Sequence, residues 1–309
     1  MRALVTGAGG FVGRFLVERL RRDGHEVFAA GGPHDRTLPP ADINDITTLH
    51  AIFDLARPEV VFHLAAQASV SQALREPDET YATNVLGTAN VLQALREWQE
   101  SSGTKLRLVF TSSAEIYGPR DAASMPLGET LAPQPANPYA ASKAAAESIV
   151  CGEARSFGVD AIVTRAFNHI GPGQDTRFAV ASFAAQLAVI AGGAERVLRV
   201  GNLEAQRDFL DVRDVIEAYG ALAERGRGGE TYNVCSGTPV RMREILRMLI
   251  EIARVPVEVR DDPERMRPSD VPLLYGDNRK LREHTGWSPK IPLQQTLKDV
   301  YAAAQRSSR

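Results

Sequence analysis

Short apolar runs alternate with longer stretches of helical periodicity through the first half of this 309-residue chain. The runs are apolar throughout, not on every second residue, which is typical of strands that are buried on both faces. Strands of this kind, separated by helices, indicate βαβ units and a parallel sheet that is covered by helices on both sides. We therefore predict a doubly wound α/β fold, with strands near 3–6, 27–30, 60–66, 106–112 and 161–165.

The stretches between these strands have helical spacing, which predicts helices at 11–22, 45–56, 71–98 and 137–156. Beyond residue 168 the pattern becomes irregular, with further helices predicted near 177–191 and 240–253. We therefore predict two domains that interleave. The larger covers 1–168, segments near 205–235 return to it, and a smaller α/β domain covers 169–309.

Composition and charge exclude several classes of protein. The chain is 44% hydrophobic and 24% charged, as globular proteins are, and 36 basic against 38 acidic residues give a net charge of −2. This balance predicts no binding to nucleic acid or to an anionic membrane. Residues 241–309 carry 14 basic against 10 acidic side chains, an excess that suits a small anionic ligand.

The two cysteines, Cys151 and Cys235, lie far apart and in no metal-binding pattern, so we expect neither a disulfide framework nor a metal site. The chain starts directly with a strand-like run, and no stretch approaches 18 apolar residues. We therefore expect a soluble, cytoplasmic protein.

The segment VTGAGGFVG, residues 5–13, ends a predicted strand and begins a helix. Glycines at 7, 10 and 13 allow a tight turn and a close approach of the backbone to a pyrophosphate, which the free N–H groups of the helix can hold. This predicts a dinucleotide site. No carboxylate stands at 30–32, and Asp35 is followed by Arg36, so the cofactor could be NADP(H) or NAD(H). Asp42 and Ile43, which we place after a third strand, are candidates for the adenine edge.

A tyrosine and a lysine stand four residues apart in YAASK, 139–143, and therefore share one face of a predicted helix. A free phenol, with a pKa near ~10, is a weak acid at neutral pH, and a neighbouring ammonium is expected to lower the pKa of Tyr139. Ser113 ends a strand whose carboxyl end borders the ligand crevice of such a sheet. We predict that Tyr139 exchanges a proton with a substrate oxygen, that Lys143 tunes it and holds the cofactor ribose, and that Ser113 polarises the same oxygen.

Four ordered motifs resemble those of the extended short-chain dehydrogenase/reductases: the glycine turn, HLAA at 63–66, SSAEIYG at 112–118 and YAASK. The resemblance covers essentially the whole chain. It implies a Rossmann-type NAD(P)-binding domain, a C-terminal nucleotide-sugar domain and a homodimer formed through a helix bundle. The cofactor contacts that it implies are Gly7, Gly10, Phe11, Val12, Gly13, Leu64, Ala65, Ala66, Tyr139 and Lys143.

Later segments are similar to the branch of this family that acts on GDP-mannose derivatives. They are RAFNHIGPGQ (165–174), VGNLEAQRDFLDVRDV (200–215), YNVCSG (232–237) and RPSDVPLLYGDNRKL (267–281). The arginines would bind the diphosphate, which guanidinium groups match, and an aspartate would bind a ribose hydroxyl. The alternative for Arg207 and Asp208 is a surface ion pair. The substrate contacts that the resemblance implies are Glu115, Asn168, Arg207, Arg267, Pro268, Ser269 and Asp270.

Glu115 keeps two reactions open. By resemblance, dehydratases of this branch carry a glutamate here that removes a proton from sugar C5. Their glycine turn resembles GITGQDGSYL and their later loop contains RRG, whereas this chain has GAGGFVGRFL and GPGQDTRF, as the reductases that form GDP-D-rhamnose do. We predict NAD(P)H-dependent reduction of the C4 ketone of GDP-4-keto-6-deoxy-D-mannose, with Glu115 orienting the sugar. The alternatives are a GDP-mannose 4,6-dehydratase, a nucleotide-sugar 4-epimerase and, from another class, a non-catalytic cofactor-binding protein.

Three further polar residues receive structural or secondary interpretations. His63, within an apolar run, is predicted to be a packed core histidine. Asn84 resembles an asparagine that supports the fold in this family. His169 lies beside Asn168, near the expected crevice, where a ligand contact is predicted but no catalytic role.

Overall fold

The computed structural model describes residues 1–32, 35, 37–266 and 271–307. The strands of these residues are β1 (Arg2–Thr6), β2 (Glu26–Ala30), β3 (Val60–His63), β4 (Arg107–Ser113), β5 (Asp160–Ala166), β6 (Asn168–Ile170), β7 (Val197–Val200), β8 (Gln206–Asp211), β9 (Thr231–Val234), β10 (Pro239–Arg241), β11 (Glu258–Asp261) and β12 (Leu273–Leu274).

The α-helices of the same residues are α1 (Phe11–Arg22), α2 (Ile46–Ala56), α3 (Val70–Arg75), α4 (Pro77–Tyr81), α5 (Gly87–Ser102), α6 (Pro138–Phe157), α7 (Ala179–Ala191), α8 (Val212–Arg225), α9 (Met242–Ala253), α10 (Arg279–Thr285) and α11 (Leu293–Ser307). A π-helical turn covers Ala82–Leu86, and a 3-10 turn covers Ala114–Tyr117. None of these helices is both long and apolar enough to cross a lipid bilayer.

The main sheet has six strands in the order β2-β1-β3-β4-β5-β9, and every neighbouring pair is parallel. Apolar residues of α1 and α8 pack against one face of it, and those of α2, α5 and α6 pack against the other. Parallel strands that are covered on both faces need apolar side chains on both, which explains their unbroken apolar runs. The predicted doubly wound, Rossmann-type α/β fold is confirmed.

A smaller layer lies after β5. β8 pairs with β6, β10 and β12, and β7 pairs with β11. The apolar faces of α7, α9 and α11 pack together against these strands in a core of their own. The chain then returns to the main sheet, where α8 packs on one face and β9 forms the last strand.

The predicted helix over 71–98 is wrong as one continuous element. It breaks at Glu76, because Pro77 has no N–H to donate and disfavours a helical conformation in the residue before it. The chain then runs through α4 and the π-helical turn before α5 begins. The predicted strand over 60–66 is also too long, since β3 ends at His63.

Candidate active site

The glycine turn between β1 and α1 has no room for side chains at its glycines. Gly7 has a φ of 71°, and a Cβ on it would lie 2.7 Å from the backbone nitrogen of Ala65. A Cβ on Gly13 would lie 2.3 Å from the carbonyl oxygen of Gly7. Gly10 caps α1 without a side-chain hydrogen bond, and the first turn contains no acidic residue. The glycines therefore let the backbone pack closely at the start of α1, whose first N–H groups are of the kind that hold a pyrophosphate in such turns.

The segment after β3 lies directly against this turn. The backbone nitrogen of Leu64 donates to the carbonyl oxygen of Thr6, at 3.2 Å, and that of Ala65 lies 3.4 Å from the Thr6 hydroxyl. Asn84 holds the next residue, because its side chain accepts from the backbone N–H of Gln67 at 2.8 Å and donates to the Gln67 carbonyl at 3.0 Å. The two predicted cofactor segments thus meet, and Asn84 supports the fold there.

The predicted adenine-edge residues differ from expectation. Asp42 and Ile43 lie between β2 and α2, and within the described part of 31–45 there is a single bridge, between Gly31 and Pro40, instead of a third strand. Ile43 is buried against α5, where it occupies the space that a side chain on Gly87 would need. Asp42 remains half-buried near the surface.

The carboxylate of Asp35 lies close to the glycine turn. A Cβ on Gly9 would lie 2.0 Å from Asp35 Oδ2, so this carboxylate lies over the turn. Its pKa is lowered by hydrogen bonds from the hydroxyl and backbone N–H of Thr37. Arg36, with which the sequence pairs it, lies outside the described residues.

The start of α6 brings the predicted proton donor beside the end of β4. Asn137 caps α6 by accepting from the backbone N–H of Ala140 at 2.8 Å, and Pro138 occupies the first helical position. Tyr139 therefore lies in the first turn of the helix, where the Ser113 side chain is its hydrogen-bond partner. Glu115, in the 3-10 turn after β4, acts electrostatically on the same phenol.

The predicted lowering of the Tyr139 pKa by Lys143 is wrong for this arrangement. Burial, opposed by the Ser113 hydrogen bond and helped by the negative charge of Glu115, raises the pKa of Tyr139 to about 12. Lys143 is itself so buried that its own pKa falls to about 8, although Glu147 raises it. Its ammonium lies 4.8 Å from the centre of the Phe110 ring. At neutral pH the phenol is therefore a protonated donor.

His63 lies under this group at the end of β3. Its ring nitrogens lie 2.8 Å from the Thr6 hydroxyl and 3.1 Å from the Thr88 hydroxyl, and the side chain is 1% exposed. Burial, helped by the nearby Lys143 charge, lowers its pKa to about 3. His63 is therefore a neutral, packed histidine, as predicted.

Asn168 and His169 continue β5 into β6. Asn168 pairs with Phe209 of β8 and stays half-buried. The His169 ring lies parallel to the Phe11 ring with 6.2 Å between centroids, and its Nδ1 lies 3.0 Å from the carbonyl oxygen of Phe167. Phe11, at the start of α1, thereby joins the glycine turn to the segment that carries Asn168.

Arg207 and Asp208 do not form a surface ion pair, because both are buried in β8. Asp208 accepts hydrogen bonds from the backbone N–H and hydroxyl of Ser236, at 2.7 and 2.6 Å, and from the backbone N–H groups of Gly237 and Gly276, at 2.8 and 3.4 Å. Burial nevertheless raises the pKa of its carboxyl group. The remaining predicted substrate residues, Arg267, Pro268, Ser269 and Asp270, lie outside the described residues.

The sequence did not point to several residues that hold this site together. Gln67 fixes the backbone after β3 together with Asn84, which the sequence did indicate, Asp208 ties β8 to two later loops, and Glu147 pairs with Arg165. A recognisable signal existed for Glu147, which stands four residues after Lys143 on the same helix face. Asp208 gave no such signal, because its donors come from distant segments.

A protein-family model described as GDP-mannose 4,6 dehydratase matches residues 4–300. The chain belongs to this family. The finding confirms the predicted place of the chain among the extended short-chain dehydrogenase/reductases.

Individual members of the family are similar over nearly the whole chain. The GDP-6-deoxy-D-mannose reductase of Pseudomonas aeruginosa is 40% identical over 302 residues, which are 97% of this chain and 95% of the relative. The UDP-glucose 4-epimerase of Mycolicibacterium smegmatis is 32% identical and covers 96% of each chain. The solved structure of RMD from Pseudomonas aeruginosa complexed with NADPH superposes with a TM-score of 0.89 at 36% identity, and covers 99% of this chain and 100% of that one.

Proposed function

We propose that this protein reduces the C4 ketone of GDP-4-keto-6-deoxy-D-mannose with NADPH or NADH and forms GDP-D-rhamnose. One observation carries the proposal. Tyr139, a phenol that stays protonated at neutral pH, has Ser113 as its hydrogen-bond partner at the carboxyl end of β4, and the glycine turn follows the carboxyl end of β1 in the same parallel sheet. The similarity to a GDP-6-deoxy-D-mannose reductase supports the choice of substrate.

The cofactor would lie along the glycine turn and the segment after β3. Gly7, Gly10 and Gly13 would admit the pyrophosphate, and the N–H groups that begin α1 would hold it. A reduced nicotinamide, when bound, supplies a hydride to the ketone carbon. The remaining contacts that we propose are Phe11, Val12, Asp42, Ile43, Leu64, Ala65, Ala66, Tyr139 and Lys143.

The protein itself supplies a proton and controls the transfer of that proton to the substrate oxygen. As C4 gains the hydride, the electron pair of the C=O π bond moves to the oxygen, and Tyr139 donates its O–H proton to that oxygen. Ser113 donates a hydrogen bond to the same oxygen and stabilises the developing charge. Lys143, in the next turn of the same helix, would hold the cofactor ribose with its ammonium group.

The smaller unit would bind the GDP-sugar, so that 1–168 serves the cofactor and 169–309 the substrate. Arg207 and Arg267 would bind the diphosphate, since guanidinium groups match its oxygens, and Asp270 would bind a ribose hydroxyl. Pro268 and Ser269 are further proposed contacts of the substrate. Asn168 and Glu115 would orient the sugar at the Tyr139 end.

A second candidate, GDP-mannose 4,6-dehydratase, is favoured by Glu115. Its carboxylate lies close enough to Tyr139 to raise the pKa of the phenol, and Asn137 Nδ2 lies 3.5 Å from Glu115 Oε2. A carboxylate beside the reacting ketone could remove a proton from the adjacent sugar carbon. The two candidates differ in a measurable quantity, because the dehydratase consumes no reduced cofactor overall.

We also propose a cytoplasmic homodimer that forms through the outer faces of α5 and α6. Leu86, just before α5, is 62% exposed, and Tyr81 is exposed beside it. Small residues face outward on α6, where Ala145, Ser148 and Gly152 would let a second helix approach closely. A Leu86→Glu variant should be monomeric by light scattering, whereas a Val259→Glu variant, at an exposed position of β11, should keep the wild-type mass. Equal masses for wild type and both variants would contradict this interface.

The function is tested by mixing the protein with GDP-4-keto-6-deoxy-D-mannose and each reduced cofactor. Loss of nicotinamide absorbance together with formation of GDP-D-rhamnose is expected. A Tyr139→Phe variant should be slower by about 10² to 10⁴-fold, the usual contribution of a general acid, while it still binds the cofactor. Tyr301→Phe, which removes a hydroxyl on α11, is the matched control and should keep full activity. Dehydration of GDP-mannose with no oxidation of added NADPH or NADH would favour the second candidate instead.

A further inference from the structure

A buried ion pair connects α6, the helix that carries Tyr139 and Lys143, to β5. It is not among the cofactor and substrate contacts proposed above. Glu147 of α6 and Arg165 of β5 are each 5% exposed. Arg165 Nε lies 3.1 and 3.2 Å from the two carboxylate oxygens of Glu147, and Arg165 Nη2 lies 2.5 Å from Oε1. This contact is a forked pairing that fixes both side chains.

The rest of the Arg165 guanidinium is also engaged. Its Nη1 donates to the Tyr117 hydroxyl at 3.0 Å and to the carbonyl oxygen of Glu129 at 3.0 Å. Tyr117 in turn donates to Asn233 Oδ1 at 2.7 Å. Arg165 therefore connects α6 to β9 and to the 3-10 turn that contains Glu115 and directly follows Ser113.

A buried ion pair by itself is weak evidence for stability, since desolvation offsets the attraction between its charges. The position of this pair suggests another role. Glu147 follows Lys143 by four residues, so both side chains lie on one face of α6. We propose that Glu147, held in place by Arg165, is a positioning residue that keeps the Lys143 side chain charged and seated over the Phe110 ring.

The surroundings of Lys143 leave Glu147 as the negative charge that favours its ammonium form. Burial lowers the pKa of Lys143 to about 8, and Glu147 is the group that raises it. His63, from β3, is neutral at pH 7 because its pKa is lowered to about 3. Tyr139 of the same helix has its pKa raised to about 12 and is also neutral.

The other titratable groups on the elements packed against α6 act elsewhere. Tyr117 is neutral, because burial raises its pKa to about 12, and Glu115 acts on the phenol of Tyr139. Burial raises the pKa of the Cys151 thiol, which lies one turn beyond Glu147. Arg165 is positive and is paired with Glu147.

The proposal for Glu147 rests on the proposed function only in assuming that Lys143 takes part in the reduction. Its test is a titration of Lys143, which does not require the protein to turn over a substrate. The chain has five lysines, so protein labelled with ¹³C at lysine Cε gives few NMR signals, and a Lys143→Arg variant assigns one of them. In Glu147→Gln, the titration midpoint of Lys143 should fall by about one pH unit or more, as expected when a neighbouring opposite charge is removed. In Glu147→Asp, which keeps the charge, the midpoint should stay near that of the wild type.

Two further variants separate this role from simple support of the fold. Glu153→Gln removes another ion pair of α6, a partly buried one in which Glu153 Oε2 lies 2.8 Å from Arg96 Nε. This variant should leave the titration midpoint of Lys143 unchanged. The double variant Glu147→Leu/Arg165→Met replaces the whole pair by apolar groups, a change that usually preserves folding, and should also lower the midpoint. If the midpoint stays at the wild-type value in folded Glu147→Gln or in the double variant, the pair is structural and the proposal is wrong.

Activity gives a second, independent measurement. The high-pH limb of the single-turnover rate should move to lower pH in Glu147→Gln by the same amount as the NMR midpoint. A fallen midpoint in a protein that never reduces the ketone would instead contradict the proposed function and leave the Glu147 proposal standing.

Discussion

Lowering the pH should destabilise this protein through one buried histidine. His63 is 1% exposed and lies between the hydroxyls of Thr6 and Thr88, and burial lowers its pKa to about 3. In the unfolded chain the same ring has a pKa near ~6.5. Between these values the unfolded state binds a proton that the folded state excludes, so stability is complete above about pH 6.5 and is lost as the pH falls toward about 3.

The expected loss follows from the two values. At about pH 5 an unfolded histidine is protonated roughly 30 times more often than not, while the folded one stays neutral, and RT ln 32 gives about 2 kcal/mol. At about pH 7.5 the same term is below about 0.1 kcal/mol. Between these two pH values His63 alone should therefore remove about 2 kcal/mol from the free energy of unfolding.

Urea unfolding at both pH values measures this term if the wild type is compared with His63→Gln at one protein concentration. The neutral amide cannot titrate, so the variant should lose about 2 kcal/mol less than the wild type over the same interval. All other titrating groups cancel in that difference. Equal losses for the wild type and His63→Gln would refute the assignment of His63 as a buried neutral ring.

Two further substitutions test the glycine turn and the buried carboxylate of β8. Gly13→Ala should weaken NADPH binding by at least about tenfold, or about 1.4 kcal/mol by calorimetry, because its Cβ would lie 2.3 Å from the Gly7 carbonyl oxygen. Gly128→Ala, whose Cβ would lie in open space, should bind NADPH as the wild type does. Asp208→Asn should lower the free energy of unfolding by about 1 to 3 kcal/mol in urea, because an amide nitrogen would face the N–H of Gly237 and leave that buried donor unpaired. Unchanged affinity in the first variant or unchanged stability in the second would contradict these contacts.

The parts of the site that the sequence predicted are those fixed by local geometry. The glycines at 7, 10 and 13 are recognisable because one turn of backbone imposes all three, and the close contact of Gly7 with Ala65 shows how little space remains. Tyr139 and Lys143 are likewise recognisable, since a helix places residues four apart on one face.

The parts that the sequence did not predict depend on distant segments. The pKa of Tyr139 is governed by burial under the completed fold, so the nearby Lys143 gave the wrong direction. The role of Asp208 depends on donors at Ser236, Gly237 and Gly276, which no local pattern connects. The break at Glu76 was predictable, because Pro77 carries that signal in the sequence itself.

The raised pKa of Tyr139 also bears on the choice between reaction types. A reductase begins with a ketone and needs a protonated donor, and with a pKa of about 12 the phenol is protonated in nearly every molecule at neutral pH. A dehydratase or epimerase that makes a ketone from a hydroxyl must first remove the hydroxyl proton, which requires a phenolate. Because burial and Glu115 both disfavour the phenolate, the protein groups around Tyr139 favour donation over abstraction. The ammonium of Lys143 would then serve the reduction by holding the cofactor ribose, and for this reason the charge on Glu147 matters to the reduction.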